Sequence, residues 1–594
     1  MRRISRWLVV VVCIVTSLFG LCTLAIAQLP AQPGKKIQPG EDALVLPGKV
    51  GARGGRLVAS FRAEPKTLNP VTATDLSSKE VIALLSADLI HINEYTQRTE
   101  PALAKSWKVS HDGKTYTLEL RRGISFSDGR PFDADDVIFS FKVYLDEKLN
   151  SPQRDLLQVG GKPIQVRKLG PYRVLFEFPQ PYAAAERLFD SVSILPRHLL
   201  QPIYEKGGLA QTWNITTSPS QMAGLGPFRL KQYTPGQQLV LERNPYYWKV
   251  DTARIPLPYL DELVFLTIPS SDAEVIRFQA GDLDVIDNIS AENYTLLLHD
   301  QAAKHYSLHD LGPGLEYDFI FFNLNDLSSR NLPEISRKQQ WFRREEFRQA
   351  VSAAIDREAM VRLVYQGRAT AIWGQVTPGN KLWIDTKLPH PPRSLEHAEA
   401  LLRSAGFTRD RDGRLKDQQG TAVEFSTITS SSNIQRTRMA ALVQSDLGQL
   451  GMQVHVVPLE SQSLSPRVFD SFDYEACMLA LKSGDADPNP EIGTWTSGGN
   501  FHLWALTEAH PATPWQAELD RLMQLQTTVL DYKKRKEIYD RVQVIIAQHE
   551  PMIFLLSPNV LVGAKDSIEG IKPAVLGRHL LWNAEQLFLK APSK

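Results

Sequence analysis

The chain has 594 residues, several times the length of one domain, and 43% of them are hydrophobic while 22% are charged. These values are typical of folded globular proteins and exclude wholesale disorder, a collagen-like repeat and a polytopic membrane protein. Lysine and arginine number 67 against 66 acidic residues, which gives a formal net charge of +1. No overall field therefore attracts nucleic acid or anionic lipid, and a neutral or zwitterionic ligand or a protein partner is indicated.

The first 27 residues have the pattern of a secretory signal peptide. Three arginines among the first six residues precede an apolar run, which ends at Ala25-Ile26-Ala27, the small-residue pattern of a cleavage site. We therefore expect residues 1–27 to be removed on export to the periplasm. The apolar run is long enough to span a bilayer, so an uncleaved membrane anchor is the alternative.

Loss of this segment changes the charge and the thiol content of the chain. It removes three arginines, no acidic residue and two of the three cysteines, which leaves a formal net charge of −2 and one thiol, Cys477. An exported chain with one cysteine forms no internal disulfide. Its stability must therefore come from the size of its core.

Regular structure is predicted to begin after a proline- and glycine-rich segment. Residues 28–55 show no sustained hydrophobic period, which predicts a flexible tether. Residues 56–61 are predicted to form the first strand, and a hairpin is predicted over 107–121 with its turn at Asp112-Gly113. Asp133 is a good N-cap for an amphipathic helix, which we expect to pack on the sheet.

Helices and strands alternate through the rest of the chain. The further predicted helices are 347–355, 439–450 and 515–548, the last interrupted near Asp531, and the further predicted strands are 452–459, 474–481 and 552–556. One of these helices passes into a strand over a short connection at Gly451. This succession is typical of α/β proteins, and we predict a mixed α/β fold with more than one sheet.

Motifs for catalysis and for metal binding are scarce in this sequence. It has no GxSxG elbow, HExxH helix, EF-hand loop or CxxC pair. His305 and His309 lie on one face of a predicted strand, but no further ligands are near them in sequence. We therefore predict no enzyme, no cofactor and no metal site.

One loop combines carboxylates with prolines and an aromatic residue. After the predicted strand 474–481, the chain reads Leu481-Lys482-Ser483-Gly484-Asp485-Ala486-Asp487-Pro488, and Trp495 follows. Two carboxylates beyond a buried strand are able to face a cationic ligand group, with Trp495 as an apolar wall. A solvent-exposed Asx-turn is the alternative.

Six sequence blocks, in the same order, resemble the large extracellular solute-binding proteins of family 5, the periplasmic receptors of peptide-importing ABC transporters. The blocks are Leu103–Trp107 with Phe126–Phe132, Asp135–Phe141, Gly226–Phe228 with Leu241–Trp248, Gln279–Val285, Phe322-Asn323, and Arg348–Ala350 with Ala354–Glu358. The resemblance covers nearly everything from Arg56 to Leu589.

The resemblance implies a two-lobed periplasmic binding protein of type II, similar to cluster C, with an extra inserted domain and a hinge between the lobes. On that template the first lobe is discontinuous, the extra domain interrupts it, and the hinge crossings fall near residues 312 and 552. The implied segments are 56–86, 223–312 and 553–594 for the first lobe, 87–222 for the extra domain and 313–552 for the second lobe.

The resemblance also implies a site in the loop described above. In peptide-binding members, an aspartate just beyond the strand pairs with the ligand's α-ammonium, and backbone groups of that strand bind the extended peptide. Asp485 is the match by order, although it lies three residues before Pro488 where the family usually has four, and Asp487 is the alternative. Residues 481–484 are then expected beside the ligand. The arginine that takes the carboxylate of short peptides has no clear match, because Ser430 falls at its place.

The function implied is capture of a peptide or peptide-like solute between two lobes and its delivery to an ABC permease in the inner membrane. The resemblance implies a monomer without a nucleic-acid partner. One alternative keeps the class and changes the ligand to a sugar, an opine-like conjugate or another amine conjugate. A different class, a periplasmic hydrolase or a peptide chaperone, also remains open.

Overall fold

The computed structural model describes residues 40–590. The predicted signal peptide and residues 28–39 of the predicted tether lie outside this range. Within it, no helix combines the length and the apolar character needed to cross a membrane.

Helices and strands alternate along the described chain. The helices are α1 (Leu76–Leu85), α2 (Ala134–Tyr144), α3 (Ala185–Leu188), α4 (Arg197–Glu205), α5 (Ser271–Ala280), α6 (Ala291–Asp300), α7 (Pro333–Phe342), α8 (Glu345–Ala354), α9 (Arg357–Val364), α10 (Leu395–Ser404), α11 (Ile434–Gly448), α12 (Ser461–Pro466), α13 (Ile492–Trp495), α14 (Pro514–Thr528) and α15 (Tyr532–His549).

The strands are numbered in the same way. They are β1 (Leu44–Val45), β2 (Arg56–Phe61), β3 (Ile90–Ile92), β4 (Thr99–Pro101), β5 (Ala104–Val109), β6 (Thr115–Leu120), β7 (Gln158–Val159), β8 (Lys162–Pro163), β9 (Gln165–Gly170), β10 (Arg173–Glu177), β11 (Phe228–Thr234), β12 (Gln238–Arg243), β13 (Lys249–Val250), β14 (Glu262–Thr267), β15 (Val285–Ile286), β16 (Tyr306–Pro313), β17 (Glu316–Phe322), β18 (Ala369–Ala371), β19 (Thr408–Arg409), β20 (Leu415–Lys416), β21 (Glu424–Ser430), β22 (Gln453–Leu459), β23 (Ala476–Lys482), β24 (Met552–Lys565), β25 (Ile568–Glu569) and β26 (Phe588–Leu589).

Three larger sheets organise these elements. The first has the order β11-β12-β14-β2, and the second has the order β5-β6-β10-β9. The third has the order β15-β24-β17-β23-β21-β22, and β16 and β18 also pair with β24. We use the name lobe I for the part built on the first sheet, extra domain for the part built on the second, and lobe II for the part built on β17, β21, β22 and β23.

The core of lobe II lies on both faces of its sheet. Along β17, Phe319 and Phe321 join one buried cluster, while Ile320 and Phe322 join the cluster on the opposite face. Successive side chains of a strand point to opposite faces, so a strand covered by helices on both sides is apolar at every position.

Several predicted elements are confirmed by the structure. The strand predicted over 56–61 is present as β2, and the hairpin turns at Gly113, whose φ of +69° suits glycine. Helix α2 begins at Asp133, which forms a capping box with Asp136. The last long helix is interrupted as predicted. A separate helix, α15, begins after Asp531, which is its N-cap.

Strand β24 pairs with strands on both sides of the predicted crossing between lobe I and lobe II. Its residues Met552–Leu556 pair with β17, and Ile553, Leu555 and Leu556 lie in a core cluster of lobe II. From Asn559 onward the strand pairs with β16 instead. The partner of β24 therefore changes between Leu556 and Asn559, a few residues beyond the predicted crossing near 552.

The predicted flexible tether includes residues 40–55, which the structure holds against the rest of the chain. Strand β1 pairs in parallel with β13, and the Asp42 carboxylate accepts hydrogen bonds from Lys105 Nζ and from the backbone N–H of Arg122, each at 3.0 Å. The Gly54 N–H donates to the carbonyl of Tyr259 at 2.9 Å. Hydrophobic periodicity could not reveal this docking, because backbone and side-chain hydrogen bonds hold a segment that forms only a two-residue strand.

Hydrogen exchange tests this docking. The amides of Leu44 and Leu46 donate to the carbonyls of Trp248 and Val250 at 3.3 and 2.8 Å, so we expect both to exchange more slowly than in an unstructured peptide. Asp42→Ala removes the hydrogen bonds of that carboxylate and should accelerate their exchange. Exchange at the random-coil rate in the wild-type protein would contradict the docking.

Candidate functional site

The loop after β23 is where the sequence predicted the ligand site. Strand β23 pairs with β17 along its whole length, but it pairs with β21 only at Ala476 and Cys477. Beyond these residues, the edge from Met478 to Lys482 has no strand beside it in the described part of the chain. A single side-chain bond crosses this gap, from Thr429 Oγ1 to the Met478 carbonyl at 3.0 Å.

The residues at the end of β23 differ in how far they are open to solvent. The main chains of Leu481 and Lys482 pair with β17, and the Lys482 side chain is exposed. Ser483 donates its hydroxyl to the carbonyl of Asp485 at 2.7 Å, which closes the turn, and Gly484 is exposed. The structure therefore brings residues 481–485 together at the free edge of the sheet.

Asp485 forms an ion pair with an arginine of the extra domain. Arg187 on α3 donates from Nε and Nη2 to the two carboxylate oxygens, so the pair is bidentate. The two side chains are 11% and 17% exposed. Burial raises the pKa of Asp485, and the hydrogen bonds from Arg187 offset part of that rise. The carboxylate expected to face a ligand ammonium thus already has a cationic partner.

Further contacts join the extra domain to lobe II around this ion pair. The Gln97 side chain donates to the Gly379 carbonyl at 2.7 Å and accepts from the Lys381 N–H at 2.9 Å. The Asn489 side chain donates to the Tyr182 hydroxyl at 2.6 Å. These three hydrogen bonds join the extra domain to lobe II on either side of the ion pair.

Asp487 forms a second ion pair, which lies wholly inside lobe II. Arg535 donates from Nη1 and Nη2 to its two oxygens, each at 2.7 Å, and Gln526 accepts from the same guanidinium. The two charged side chains are 4% and 5% exposed. A pair this deep, with its hydrogen bonds satisfied, has a structural role.

Trp495 lies in the core of lobe II. It has no exposed surface, its indole N–H donates to Glu491 Oε2 at 3.0 Å, and its ring lies 5.9 Å from that of Trp504. In this conformation it lines no space that a solute could enter. The role of Trp495 as an apolar wall stays a prediction.

A second group of charges lies where α1 of lobe I meets the other two parts. Glu80 is half-buried, and within residues 40–590 its carboxylate forms no hydrogen bond or ion pair. Burial, and secondly the charge of Asp287, raise the pKa of Glu80 to about 7, while Arg578 and Lys482 lower it. Glu94 of the extra domain accepts from the Arg578 N–H at 3.0 Å.

His91 forms an ion triad close to these charges. Its Nδ1 lies 3.0 Å from Asp88 Oδ2 and 3.2 Å from Asp190 Oδ1. Burial alone lowers the pKa of His91, but the two carboxylates outweigh it and raise the pKa to about 10. These three residues could hold a cation, since their ligand atoms all lie within 4.8 Å of one another. The protonated imidazole already lies between the two carboxylates. We therefore interpret the triad as a structural ion pair and not as a metal site.

Sequence reasoning missed Arg187 and Glu80. Arg187 lies 298 residues before Asp485, so no local pattern joins them. Glu80 is one carboxylate on an amphipathic helix, and only the folded chain shows that it has no partner.

The comparisons with known proteins define the class of this fold. Residues 98–502 match the family described as "Bacterial extracellular solute-binding proteins, family 5 Middle". A probable ABC transporter-binding protein of Deinococcus radiodurans is 27% identical over 530 residues, which are 85% of this chain and 87% of that protein. The oligopeptide-binding protein AppA of Bacillus subtilis is 25% identical over 525 residues, which are 88% of this chain and 89% of that protein.

Solved structures give the same result for the fold. The structure of AppA from Bacillus subtilis with a nonapeptide has a TM-score of 0.66 at 24% identity, over 91% of this chain and all of that one. The structure of MelB from Agrobacterium fabrum with stachyose has a TM-score of 0.69 at 22% identity, over 94% of this chain and 89% of that one. The fold is that of a two-lobed type II periplasmic binding protein of mixed α/β content, so the predicted fold class is confirmed.

The family follows from the match over residues 98–502. The chain belongs to family 5 of the bacterial extracellular solute-binding proteins, which confirms the resemblance drawn from its sequence.

The buried pair of Asp487 and Arg535 makes a testable contribution to stability. Asp487→Ala leaves the guanidinium buried without a partner, and we expect it to lower the free energy of unfolding by about 3–5 kcal/mol. Asp473→Ala removes a half-exposed carboxylate 3.9 Å from Arg467 and should cost about 0–1 kcal/mol. Urea unfolding followed by tryptophan fluorescence compares the two variants. Equal small losses would contradict the structural role.

The raised pKa of His91 predicts how stability depends on pH. Folding raises this pKa from 6.5 to about 10, so the stabilisation is complete below 6.5 and is lost as the pH rises through about 10. Between pH 7 and pH 10 the wild-type protein should lose about 3–4 kcal/mol more than His91→Gln. Urea unfolding at a series of pH values measures the difference. Parallel curves for the two proteins would contradict the charged triad.

Proposed function

We propose that the protein is the periplasmic receptor of an ABC importer and that it captures a peptide or peptide-like solute between its lobes. Family membership supports the class, and AppA of Bacillus subtilis is named as an oligopeptide-binding protein. The observation that supports a peptide as the ligand is the free edge of β23. Its backbone groups from Met478 to Lys482 are placed to pair with an extended chain, as in strand addition.

The two places where the chain passes between the lobes are compatible with hinged closure around the solute. The chain passes from lobe I to lobe II between β16 and β17, and it returns within β24 beside that point. Two adjacent crossings allow rotation, and contacts from both lobes then favour the closed state. We assign 56–86, 223–312 and 557–590 to lobe I, 87–222 to the extra domain and 313–556 to lobe II.

Asp485 has two candidate roles in this receptor. It is either the partner of the ligand's ammonium, in which case Arg187 must leave, or the partner of Arg187, in which case the pair holds the closed state. The geometry favours the second role, because both oxygens are bound by Arg187 and the pair is mostly buried. Removing the arginine would leave an uncompensated carboxylate, which is costly in a site of this depth.

The same ion pair favours a second candidate ligand class. If Asp485 remains paired with Arg187, the guanidinium of Arg187 already occupies the position where a peptide's amine would bind. A solute without an amine at that position, such as a sugar, then fits, and MelB with stachyose is an example among the similar structures. In either case the proposed activity is reversible binding and delivery to an inner-membrane permease, and not catalysis.

A retention experiment separates these ligand classes. The mature protein is incubated with a peptic digest of casein or with stachyose, desalted, and examined by native mass spectrometry. We expect about one peptide per protein from the digest and no stachyose. Retention of stachyose alone would overturn the peptide assignment, and retention of neither would overturn both candidates.

A double-mutant cycle on the retained peptides tests the role of Asp485. If the pair holds the closed state, Asp485→Asn and Arg187→Gln each weaken binding by about 5- to 150-fold, and the double variant is little worse. Calorimetry with a synthetic copy of one retained peptide measures this. If Asp485 instead binds the ligand amine, Arg187→Gln strengthens binding while Asp485→Asn weakens it, and that opposite sign would contradict the closing role.

A further inference from the structure

A mostly buried arginine lies over one face of the sheet beside the free edge of β23. Asp318 of β17 and Ala480 of β23 pair in register, so their side chains point to the same face. Helix α11 covers that face, since its Met439 shares a core cluster with Met478 of β23. Arg436, in the first turn of α11, donates from Nε to Asp318 Oδ1 at 2.9 Å.

The order of the strands places this guanidinium close to the free edge. Strand β23 lies between β17 and β21, and α11 packs against β21 and β22. To reach Asp318 on β17, the side chain of Arg436 therefore crosses β23 next to Ala480. Ala480 is in the middle of the edge from Met478 to Lys482, and its methyl group leaves space for the larger side chain.

The guanidinium of Arg436 is only partly satisfied. Arginine has five N–H donors, and within residues 40–590 only Nε of Arg436 has an acceptor. Arg187 and Arg436 are 11% and 12% exposed, yet Arg187 donates from Nε, Nη1 and Nη2. The buried Arg348 and Arg357 also donate from all three nitrogens. The two Nη groups of Arg436 are therefore able to bind an acceptor that the chain does not supply.

Hydrogen bonding, and not net charge, distinguishes this position. Asp318 balances the charge of Arg436, and the next two residues on the same face, Glu316 and Lys482, pair in register with opposite charges. What the position lacks is acceptors for the Nη groups. A carboxylate suits them, because it accepts two parallel N–H bonds from a guanidinium and such bonds are about twice as strong as neutral ones.

An extended peptide added to β23 presents one side chain to these donors. The peptide residue opposite Ala480 points to the same face as Ala480, because neighbouring strands share their pleat. The residues before and after it point to the opposite face. In strand addition the backbone supplies affinity, and the surroundings of alternate side chains supply specificity.

We propose that Arg436, held by Asp318, binds a carboxylate of the solute, and that the receptor thereby selects peptides with an acidic side chain opposite Ala480. The inference rests on the proposed capture of a peptide along β23, and it adds the chemistry of one peptide residue. A C-terminal carboxylate is the other source of the same group, and the test distinguishes the two.

The test uses a peptic digest of casein, from which the wild-type protein selects its own probe. Peptides that survive desalting are sequenced by mass spectrometry, and we expect aspartate or glutamate at one recurring position. One of them is synthesised unchanged, with that acidic residue replaced by its amide, and with an amidated C-terminus. In calorimetry the amide side chain should weaken binding by at least about 30-fold, while C-terminal amidation should have little effect.

Variants of the protein assign this discrimination to Arg436. Arg436→Gln should bind the acidic peptide and its amide form equally weakly. The matched control Arg403→Gln, which removes a 64% exposed guanidinium from α10 of the same lobe, should keep the discrimination. Arg436→Gln also leaves Asp318 buried without a cation, which is destabilising. The double variant Asp318→Asn/Arg436→Gln removes both charges, so it should melt close to the wild type and still bind the two peptides alike.

Each of the other outcomes is decisive. Retained peptides without a recurring acidic residue, or equal binding of the acidic and amide peptides by the wild type, would overturn the role of Arg436 while leaving peptide capture intact. Loss of binding on C-terminal amidation alone would overturn the selection for an acidic side chain. A folded double variant that still discriminates would place the carboxylate elsewhere and overturn the inference. Retention of no peptide by the wild type would overturn the proposed peptide capture, and the inference with it.

Discussion

The structure depends on one strand that belongs to two sheet regions at once. Residues Met552–Leu556 of β24 pair with β17 in lobe II, while Leu561–Lys565 pair with β16 next to the core of lobe I. A strand that is hydrogen-bonded on both sides of the crossing cannot slip, because a shift of one residue would turn its buried side chains to the other face. The register of β24 therefore fixes how the chain passes from lobe II to lobe I, and β18 pairs with the strand at residues 556–558 between the two regions.

Polar contacts join the extra domain to lobe II. The pair of Arg187 and Asp485 and the two hydrogen bonds of the Gln97 side chain all cross this boundary. Polar contacts of this kind are satisfied only in one relative position of the two parts. The loop after β23 therefore takes part in joining the extra domain to lobe II.

Much of the fold was predictable from the sequence, because local rules determine it. Alternating residues and the turn at Gly113 predict the hairpin, and Asp133 and Asp531 predict the starts of α2 and α15. The two lobes were predicted from the six sequence blocks that resemble the family. The crossing within β24 and the docking of residues 40–55 were missed, since pairing of distant strands leaves no periodic signal. The ion pair of Asp485 was missed for the same reason: its partner is 298 residues away.

A crystal structure of the protein with a bound amine-bearing peptide tests the central claim most directly. The account predicts that Arg187 and Asp485 remain paired and that the peptide backbone follows the free edge of β23. An ammonium bound to Asp485, with the Arg187 side chain turned away, would contradict it.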